Sequence, residues 1–396
     1  MISRGTMKGF PVRTLQGVVK NSLRIKLAMS LITVVLIVGI SSTIIGIKII
    51  NDNVIGQAYE SVRSELNAAQ FIYDKRIDEI KIYIDHVASL PYMQTAIAEK
   101  NTSLILTKLL EVKNEARLDI LNVILPDGTT LVRSNNPASS DGIDADFFLA
   151  KTLETGKGFA GSGIISRRVL ENESDVLATQ AMIELVPTSK ARPLENTVLH
   201  HGLALKVTAP VYHDGRLIAV LHGAELLNRN YSIPDRIKSL IFEDKKINGV
   251  EYGTATIFLD DVRISTNVAL KGGGRAIGTQ VSEEVYTKVV RHGKIWLDKA
   301  FVVDNWYISA YKPIYDITGQ VIGILYVGIL EEKFNIIKRD TTYNFSIVIL
   351  VSLIISAFIA MALIKNIITP INKLMLASRS VGEGHYDRKI EFSSND

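Results

Sequence analysis

The chain of 396 residues contains no cysteine. It therefore forms no disulfide bond, binds no metal through a thiolate and has no C-x-x-C-H site for a c-type haem. The histidines at positions 200, 201, 213 and 222 match no ligand spacing of a helix or a hairpin. We therefore expect neither a metal nor a cofactor.

Charge of one sign is also scarce, because 45 basic residues stand against 41 acidic ones. The basic residues flank apolar segments and form no single patch, so the sequence predicts no binding of nucleic acid. With 47% hydrophobic and 22% charged residues, the composition is that of a folded protein. The length allows two or three domains.

Charges are absent altogether from segments 27–47 and 341–364. A helix needs about 20 residues to cross a hydrocarbon core of about 30 Å, so both segments are long enough. A buried core helix is the alternative, but the charges that bound both segments favour transmembrane helices at 27–50 and 341–364. The first apolar run exceeds the ~7–15 residues of a signal peptide and precedes no small-x-small site, so we expect an uncleaved anchor.

The flanking charges predict the orientation of these helices. Segment 1–26 has basic residues and no acidic one, and basic residues return after position 365. By the positive-inside rule, segments 1–26 and 365–396 lie in the cytoplasm. The sequence thus predicts a multi-pass protein of the cell inner membrane, embedded in the lipid bilayer, with a large extracytoplasmic region between its two helices.

Residues 51–90 contain no proline, and apolar side chains recur there every three or four positions. This spacing predicts a long stalk helix with one apolar face. The face packs against the rest of the chain or pairs with the same helix of a second copy, and both interpretations stay open. We expect a homodimer.

The sequence after the stalk repeats itself. Residues 123–133 parallel 255–264, and residues 209–223 parallel 312–328. β-Branched residues on either side of glycine turns predict antiparallel hairpins in both copies. Each copy is predicted as strand–strand–helix–strand–strand–strand, so the fold class is α+β with two tandem antiparallel sheets.

The two copies predict two modules of unequal length, membrane-distal at 91–235 and membrane-proximal at 236–335. The first copy is longer because of an insertion at about 167–201, which is polar and which we expect to be loop-like. The alignment of the copies also makes Arg263 the expected equivalent of Arg133.

Several stretches of the second copy carry a resemblance to a known family. Together with the long helix and the second apolar segment, they resemble the double-Cache sensor region of bacterial transmembrane receptors, of the histidine kinase or chemotaxis type. The resemblance covers 51–335 and implies two tandem PAS-like (Cache) modules, of which the distal one faces the ligand. The stretches are Thr256-Ile257-Phe258, Arg275-Ala276-Ile277-Gly278-Thr279, Asn305-Trp306-Tyr307 and Gly323-Ile324-Leu325-Tyr326.

The residues after the second apolar segment resemble the start of a HAMP relay domain. Ile368-Thr369-Pro370-Ile371 would open its first helix, and Gly382-Glu383-Gly384 would begin its connector. We expect a partial HAMP domain at 365–396, and therefore that the sequence is the N-terminal portion of a longer receptor.

The predicted ligand-binding residues of the distal module are Arg133, Ser134 and Asn135, which leave a strand together. A guanidinium beside an amide and a hydroxyl suits a carboxylate through charge-assisted hydrogen bonds. The alternative is a surface arginine without a ligand.

The proximal module offers Arg263 and Asn267, with Tyr307 and Tyr311 on one face of a predicted strand. The arginine and asparagine either bind a ligand or support a module that transmits more than it binds. The two tyrosines either line an aromatic pocket or pack in the core.

Two functions of different classes fit these features. The first is a transmembrane signal-transduction receptor that senses a small extracytoplasmic ligand and relays it through the second membrane helix and HAMP, to a histidine kinase in preference to a chemotaxis transducer. The second is a membrane-tethered exported enzyme, which would need a catalytic set or metal cluster that the sequence does not offer. A stand-alone regulator of a partner kinase is a third possibility. We expect no catalytic residue in these segments.

Overall fold

The computed structural model describes residues 23–139, 146–193, 196–270 and 272–383. The chain divides into two units, Met1–Val54 with Ile337–Asp396, and Ile55–Ile336. Helices and antiparallel sheets build the second unit, which confirms the predicted α+β class.

Within the described residues the chain begins with one long helix, α1, at Leu23–Ser89. Its predicted apolar face is buried within the chain, while Phe71 and Ile82 remain 67% and 70% exposed. The pairing of this helix across a dimer stays a prediction. The buried positions recur every three or four residues: Ala58, Val62, Leu66, Ala69, Tyr73, Ile80, Ile84 and Val87.

The first module follows α1 and is built on a five-stranded antiparallel sheet in the order β2-β1-β7-β6-β3. Asn101 caps α3 by accepting the Leu104 N–H, and Gly156 ends α4 with φ of +65°. The elements are α2 (Pro91–Ala98), α3 (Thr102–Ala116), β1 (Ile120–Ile124), β2 (Thr130–Arg133), α4 (Phe147–Thr155), β3 (Phe159–Ile165), α5 (Arg167–Glu173), α6 (Asp175–Ala181), β4 (Ile183–Glu184), β5 (Val198–Leu199), β6 (Gly202–His213) and β7 (Arg216–Leu226).

The insertion of the first module is not the loop that its polar composition predicted. It forms the helices α5 and α6 and the short strand pair β4–β5. Ser166 and Ser174 start the two helices by accepting backbone N–H groups. The helices are ordered because Leu170, Leu177 and Ala181 join an apolar cluster with the sheet. Short helices gain their stability from such packing, which polarity alone does not reveal.

The second module repeats this architecture, with a five-stranded antiparallel sheet in the order β11-β10-β14-β13-β12. The helix of this module starts after its cap Ser282, is short and continues as a π-helical turn at Thr287–Arg291. The elements are α7 (Ser232–Ile241), β8 (Lys246–Ile247), β9 (Val250–Glu251), β10 (Gly253–Leu259), β11 (Val262–Thr266), α8 (Glu283–Tyr286), β12 (Trp296–Val302), β13 (Asn305–Tyr315) and β14 (Val321–Leu330).

The insertion also joins the two modules. Arg192 reaches the β10–β11 turn, with Nε 2.7 Å from Asp261 Oδ2 and Nη2 2.5 Å from Asp260 Oδ2. Val186 N–H donates to the carbonyl of Gly278 at 2.9 Å. Gly278 has φ of +85°, and a Cβ there would lie 2.1 Å from a backbone oxygen of β4, so only glycine allows this approach.

The described chain closes with the helix α9 (Glu331–Leu363), a π-helical turn at Ile364–Ile368 and the helix α10 (Thr369–Gly382). The helices at Ile32–Ser89 and Glu331–Ile367 are long and apolar enough to cross a membrane, and an 18-residue window within each has a mean hydropathy of 2.2 and 3.1 respectively. The predicted HAMP connector lies mostly outside the described residues.

Glycine allows close helix packing in the first unit. A Cβ on Gly39 would lie 2.8 Å from a Leu353 methyl, and one on Gly46 would lie 2.2 Å from the Phe345 ring. Small residues at a helix contact are typical of helices that associate in a bilayer.

Candidate functional site

The same face of each sheet presents one row of side chains that runs across all five strands. In the first module the first four members of this row are polar or charged and the last is aromatic: Arg133, Asn122, His222, Thr208 and Phe159. In the second module the equivalent row carries hydroxyl and aromatic groups: Thr266, Thr256, Tyr326, Tyr311 and Trp296. The repeat thus conserves geometry while the chemistry of the two faces differs.

The register corrects the expected equivalence of the two arginines. Each first hairpin has a bulge, after Val123 in β1 and after Ile257 in β10. Counted from the bulge, Arg133 corresponds to Thr266, whereas Arg263 lies opposite Phe258. Arg263 corresponds instead to Thr130, which lies opposite Ile124.

Arg133 is buried and held by a carboxylate of the same chain. Its Nη1 lies 2.5 Å from Glu173 Oε1, and both side chains are 1% exposed. Asn122 Nδ2 donates to the same oxygen at 2.7 Å, and Asn135 Nδ2 lies 3.3 Å from Oε2. Arg133 therefore pairs with a carboxylate of α5, and its binding of a ligand stays a prediction.

The neighbours of Arg133 make further contacts within the chain. Ser134 Oγ accepts the backbone N–H of Leu121 at 3.2 Å, which extends the ladder past the end of β2. Asn135 Nδ2 also donates to the carbonyl of Asp119 at 2.8 Å, and Asn135 Oδ1 accepts from Lys113. Both side chains thus fix the strand end.

A second charged cluster on the same face escaped the sequence reasoning. Asp146 Oδ2 lies 2.8 Å from Lys206 Nζ and 3.2 Å from His222 Nε2, and all three side chains are at most 9% exposed. Asp146 Oδ1 also caps α4 by accepting the Phe148 N–H at 2.8 Å. Burial raises the pKa of Asp146, but His222 and then Lys206 outweigh it and hold the pKa well below its usual range. An aspartate at the start of a predicted helix is the signal that could have pointed to this cluster.

Arg263 in the second module is buried in a different way. It is 5% exposed, and its Nε and Nη1 have no hydrogen-bond partner among the described residues. Its guanidinium carbon lies 5.3 Å from the Phe258 ring centroid. Burial lowers the pKa of Arg263, while the phenols of Tyr311 and Tyr326 nearby act in the opposite direction. Arginine nevertheless stays protonated, so this is a buried positive charge.

Asn267 follows the end of β11. Its Oδ1 accepts the backbone N–H of Ala255 at 2.8 Å, in the position that Ser134 takes in the first module. Its Nδ2 is buried and has no partner among the described residues. Asn267 therefore has a structural contact on one side of its amide and an unused donor on the other.

Tyr307 and Tyr311 lie in the aromatic core of the second module, both on the face predicted for them. The Tyr311 ring centroid is 4.7 Å from that of Tyr326 and 5.4 Å from that of Trp296. Tyr307 is 3% exposed, and its hydroxyl lies 3.4 Å from the carbonyl of Glu251. Burial raises the pKa of both phenols, so they remain neutral donors.

The two faces differ in how their charge is balanced. In the first module Glu173 and Asp146 balance Arg133 and Lys206. In the second module no carboxylate pairs with Arg263 within the described part of the chain. A buried, unpaired cation beside aromatic rings suits an anion whose body is small and apolar.

Residues 225–341 match a known family, described as Single cache domain 3. This range contains the whole second sheet and Arg263, Asn267, Tyr307 and Tyr311. None of the curated proteins matches the sequence.

Solved structures give similarities at low identity. The periplasmic domain of Vibrio cholerae LuxQ is 16% identical, with a TM-score of 0.39, over 68% of this chain and 98% of that one. The sensory domain of the Campylobacter jejuni chemoreceptor Tlp3 with isoleucine bound is 8% identical, with a TM-score of 0.36, over 73% and 97%. A domain of a Vibrio parahaemolyticus sensory box/GGDEF family protein is 11% identical, with a TM-score of 0.39, over 72% and 98%. At these values no ligand is transferred to this chain, and the match to the Cache family concerns residues 225–341.

Proposed function

We propose that this chain is the sensory portion of a transmembrane signalling receptor that binds a small extracytoplasmic ligand. Its two helices of spanning length flank the two sheet modules in sequence, as a receptor with a loop exported between two anchors requires. A Cache domain in the second module supports a sensory role. The module boundaries 91–235 and 236–335 and the inner-membrane location form part of this proposal.

The unpaired guanidinium of Arg263 carries the proposal for the ligand. A buried charge without a partner costs several kcal/mol, so its retention favours a role that a bound anion completes. We propose that the ligand is a small molecule with a carboxylate, which accepts from Arg263 Nε and Nη1. Tyr307 and Tyr311 would contact its apolar part, and the unused Nδ2 of Asn267 offers a further donor.

The path of the chain supports a relay from this site. Tyr326 lies on β14, and Glu331 begins α9 directly after β14 ends at Leu330. A ligand that binds two states of this strand with different affinity would shift their populations and thereby move α9. We propose that α9 passes the shift to the HAMP segment at 365–396 and on to a cytoplasmic output, a histidine kinase in preference to a chemotaxis transducer, in a homodimer.

Topology provides the first test of the proposal. Because of the basic flanks, a reporter fused within 100–330 should lie outside the cytoplasm, and one fused after position 382 should lie inside it. The measurement is paired alkaline phosphatase and green fluorescent protein activity at each site. Fusions on the same side of the membrane at both places would contradict the two-span topology.

A ligand screen provides the second test. The full chain in detergent should melt at a higher temperature with some members of a panel of organic acids and amino acids, because a ligand of the native state stabilises it by mass action. The amides of the same acids, which lack the anionic oxygens, should leave the Tm unchanged. A panel in which only amines or neutral sugars raise the Tm would contradict a carboxylate ligand.

A further inference from the structure

The polar site of the first module is already filled by a carboxylate of the chain. Glu173 Oε1 accepts from Arg133 at 2.5 Å and from Asn122 at 2.7 Å. Its Oε2 lies 3.3 Å from the amide nitrogen of Asn135. One guanidinium and two amide groups therefore surround a single carboxylate, with donors to both of its oxygens, which is how binding sites hold a free carboxylate.

The carboxylate enters this site from above the sheet. Glu173 is the last residue of α5, and Ser174 ends α5 and caps α6, so the side chain projects from the junction of two short helices. Asn136 Nδ2 donates to the carbonyl of Asn172 at 3.1 Å and ties this junction to the end of β2. The donors lie on the sheet, whereas the acceptor lies on the insertion.

The second module has no such insertion, so its sheet can be compared with that of the first module. The position of Arg133 is taken there by Thr266, whose hydroxyl bonds to Thr256 at 2.6 Å. Arginine and the two helices are thus features of the first module. Stability alone does not explain the pair, because a buried ion pair is often no more stabilising than apolar residues of similar volume.

We propose that the first module contains a carboxylate-binding site that the chain occupies with its own Glu173, as a tethered internal ligand. The site takes a small monocarboxylate, since Glu173 offers it the equivalent of an acetate group on a methylene arm. This proposal goes beyond the receptor function and does not depend on it. It also separates the roles of the two modules. Glu173 supplies a carboxylate to Arg133 in the first module, whereas Arg263 in the second module has no carboxylate partner among the described residues.

Truncation of the arm tests the proposal. Glu173→Ala removes the Cγ methylene and the carboxylate of the side chain. Acetate should fit the space that they leave and accept from the donors that remain. The full chain used in this experiment also carries Arg263→Met, so that acetate does not bind at the ligand site proposed in the second module. We expect acetate, at concentrations far above its Kd, to raise the Tm of this protein by about 5 °C. Acetamide, which has the same shape and no charge, should leave it unchanged.

Two matched variants define the controls. With Glu173 intact, acetate should cause no shift beyond that of sodium chloride, because the site is full. With Arg133→Met added to Glu173→Ala, the acetate effect should disappear. Equal shifts in the presence and absence of Glu173, or equal effects of acetate and acetamide, would overturn the proposal.

Loss of folding in the Glu173→Ala protein would still decide the question. In that case the native circular dichroism spectrum should return on refolding in acetate and not in acetamide. The double replacement Arg133→Met/Glu173→Met shows independently whether the module folds without the pair. If this double variant folds while the Glu173→Ala protein stays unfolded at every acetate concentration, Glu173 is a structural residue and the proposal is wrong.

Discussion

Arg263→Met is expected to weaken ligand binding by about 10- to 150-fold, the loss of charge-assisted hydrogen bonds worth roughly 1.5–3 kcal/mol. The same change should raise the Tm of the ligand-free chain. Arg263 Nε and Nη1 have no hydrogen-bond partner to lose among the described residues, and a methionine removes a buried charge from an aromatic core. Binding is measured by calorimetry with whichever carboxylate raises the Tm of the unaltered chain, and stability by thermal unfolding in detergent.

Arg275→Met is the matched control for this experiment. Arg275 belongs to the same module, but its Nη1 and Nη2 already pair with Asp235 at 2.7 and 2.9 Å. Its loss should leave the ligand affinity unchanged. A lower Tm together with unchanged affinity in Arg263→Met would contradict the proposal and make Arg263 a core residue that is satisfied by its cation–π contact with Phe258.

Asp146→Asn is expected to destabilise the chain by about 3–5 kcal/mol, the usual cost of removing one member of a buried ion pair. Asparagine caps a helix as well as aspartate does, so α4 should keep its N-cap. The chain loses stability because the ammonium group of Lys206 stays buried after its counter-charge on Asp146 has been removed. The measurement is the Tm of the full chain in detergent.

The pH dependence of this variant gives an independent result. The folded pKa of Asp146 is lowered, so its contribution is fully present above the ordinary carboxyl pKa of about 3.9 and is lost as the pH falls below it. The Tm of the unaltered chain should therefore fall more steeply than that of Asp146→Asn on acidification below about pH 4.

Two further variants check the cause. Lys206→Met in the Asp146→Asn background should recover much of the loss, because it removes the stranded charge. Asp175→Asn, at an exposed position in the first turn of α6, should change the Tm little. A similar loss in Asp146→Asn and Asp175→Asn would show that a negative charge at a helix N-terminus, and not the buried pair, supports the module.

Much of the fold was predictable because it depends on local patterns. The spacing of apolar residues along the stalk predicted the buried face of α1, and the paired hairpins at 209–223 and 312–328 predicted the repeat. Alternation along β13 placed Tyr307 and Tyr311 on one buried face, opposite Trp306, which is 44% exposed. Each of these features requires only neighbours along the chain and the period of a helix or strand.

The sequence predicted the arginines of the candidate sites but not the residues that contact them. Sequence singled out Arg133 and Arg263 as cations near strand ends, yet it gave no means to see that Glu173 lies 2.5 Å from the first. Glu173 is 40 positions away and was assigned to a loop. The Asp146 cluster was missed for the same reason, since its partners come from different strands.

The sequence by itself determined the α+β class, the long helix, the two spanning-length segments and the duplication of the sheet, because hydrophobic periodicity and turn residues act over a few positions. The tertiary structure alone decided which charges meet. The register of each first hairpin sets which residue an arginine lies opposite, Asn122 for Arg133 and Phe258 for Arg263. The packing of two short helices delivers a carboxylate to Arg133, and among the described residues none reaches Arg263. Such contacts depend on register and on distance through space, and neither quantity is written in the spacing of residues along the chain.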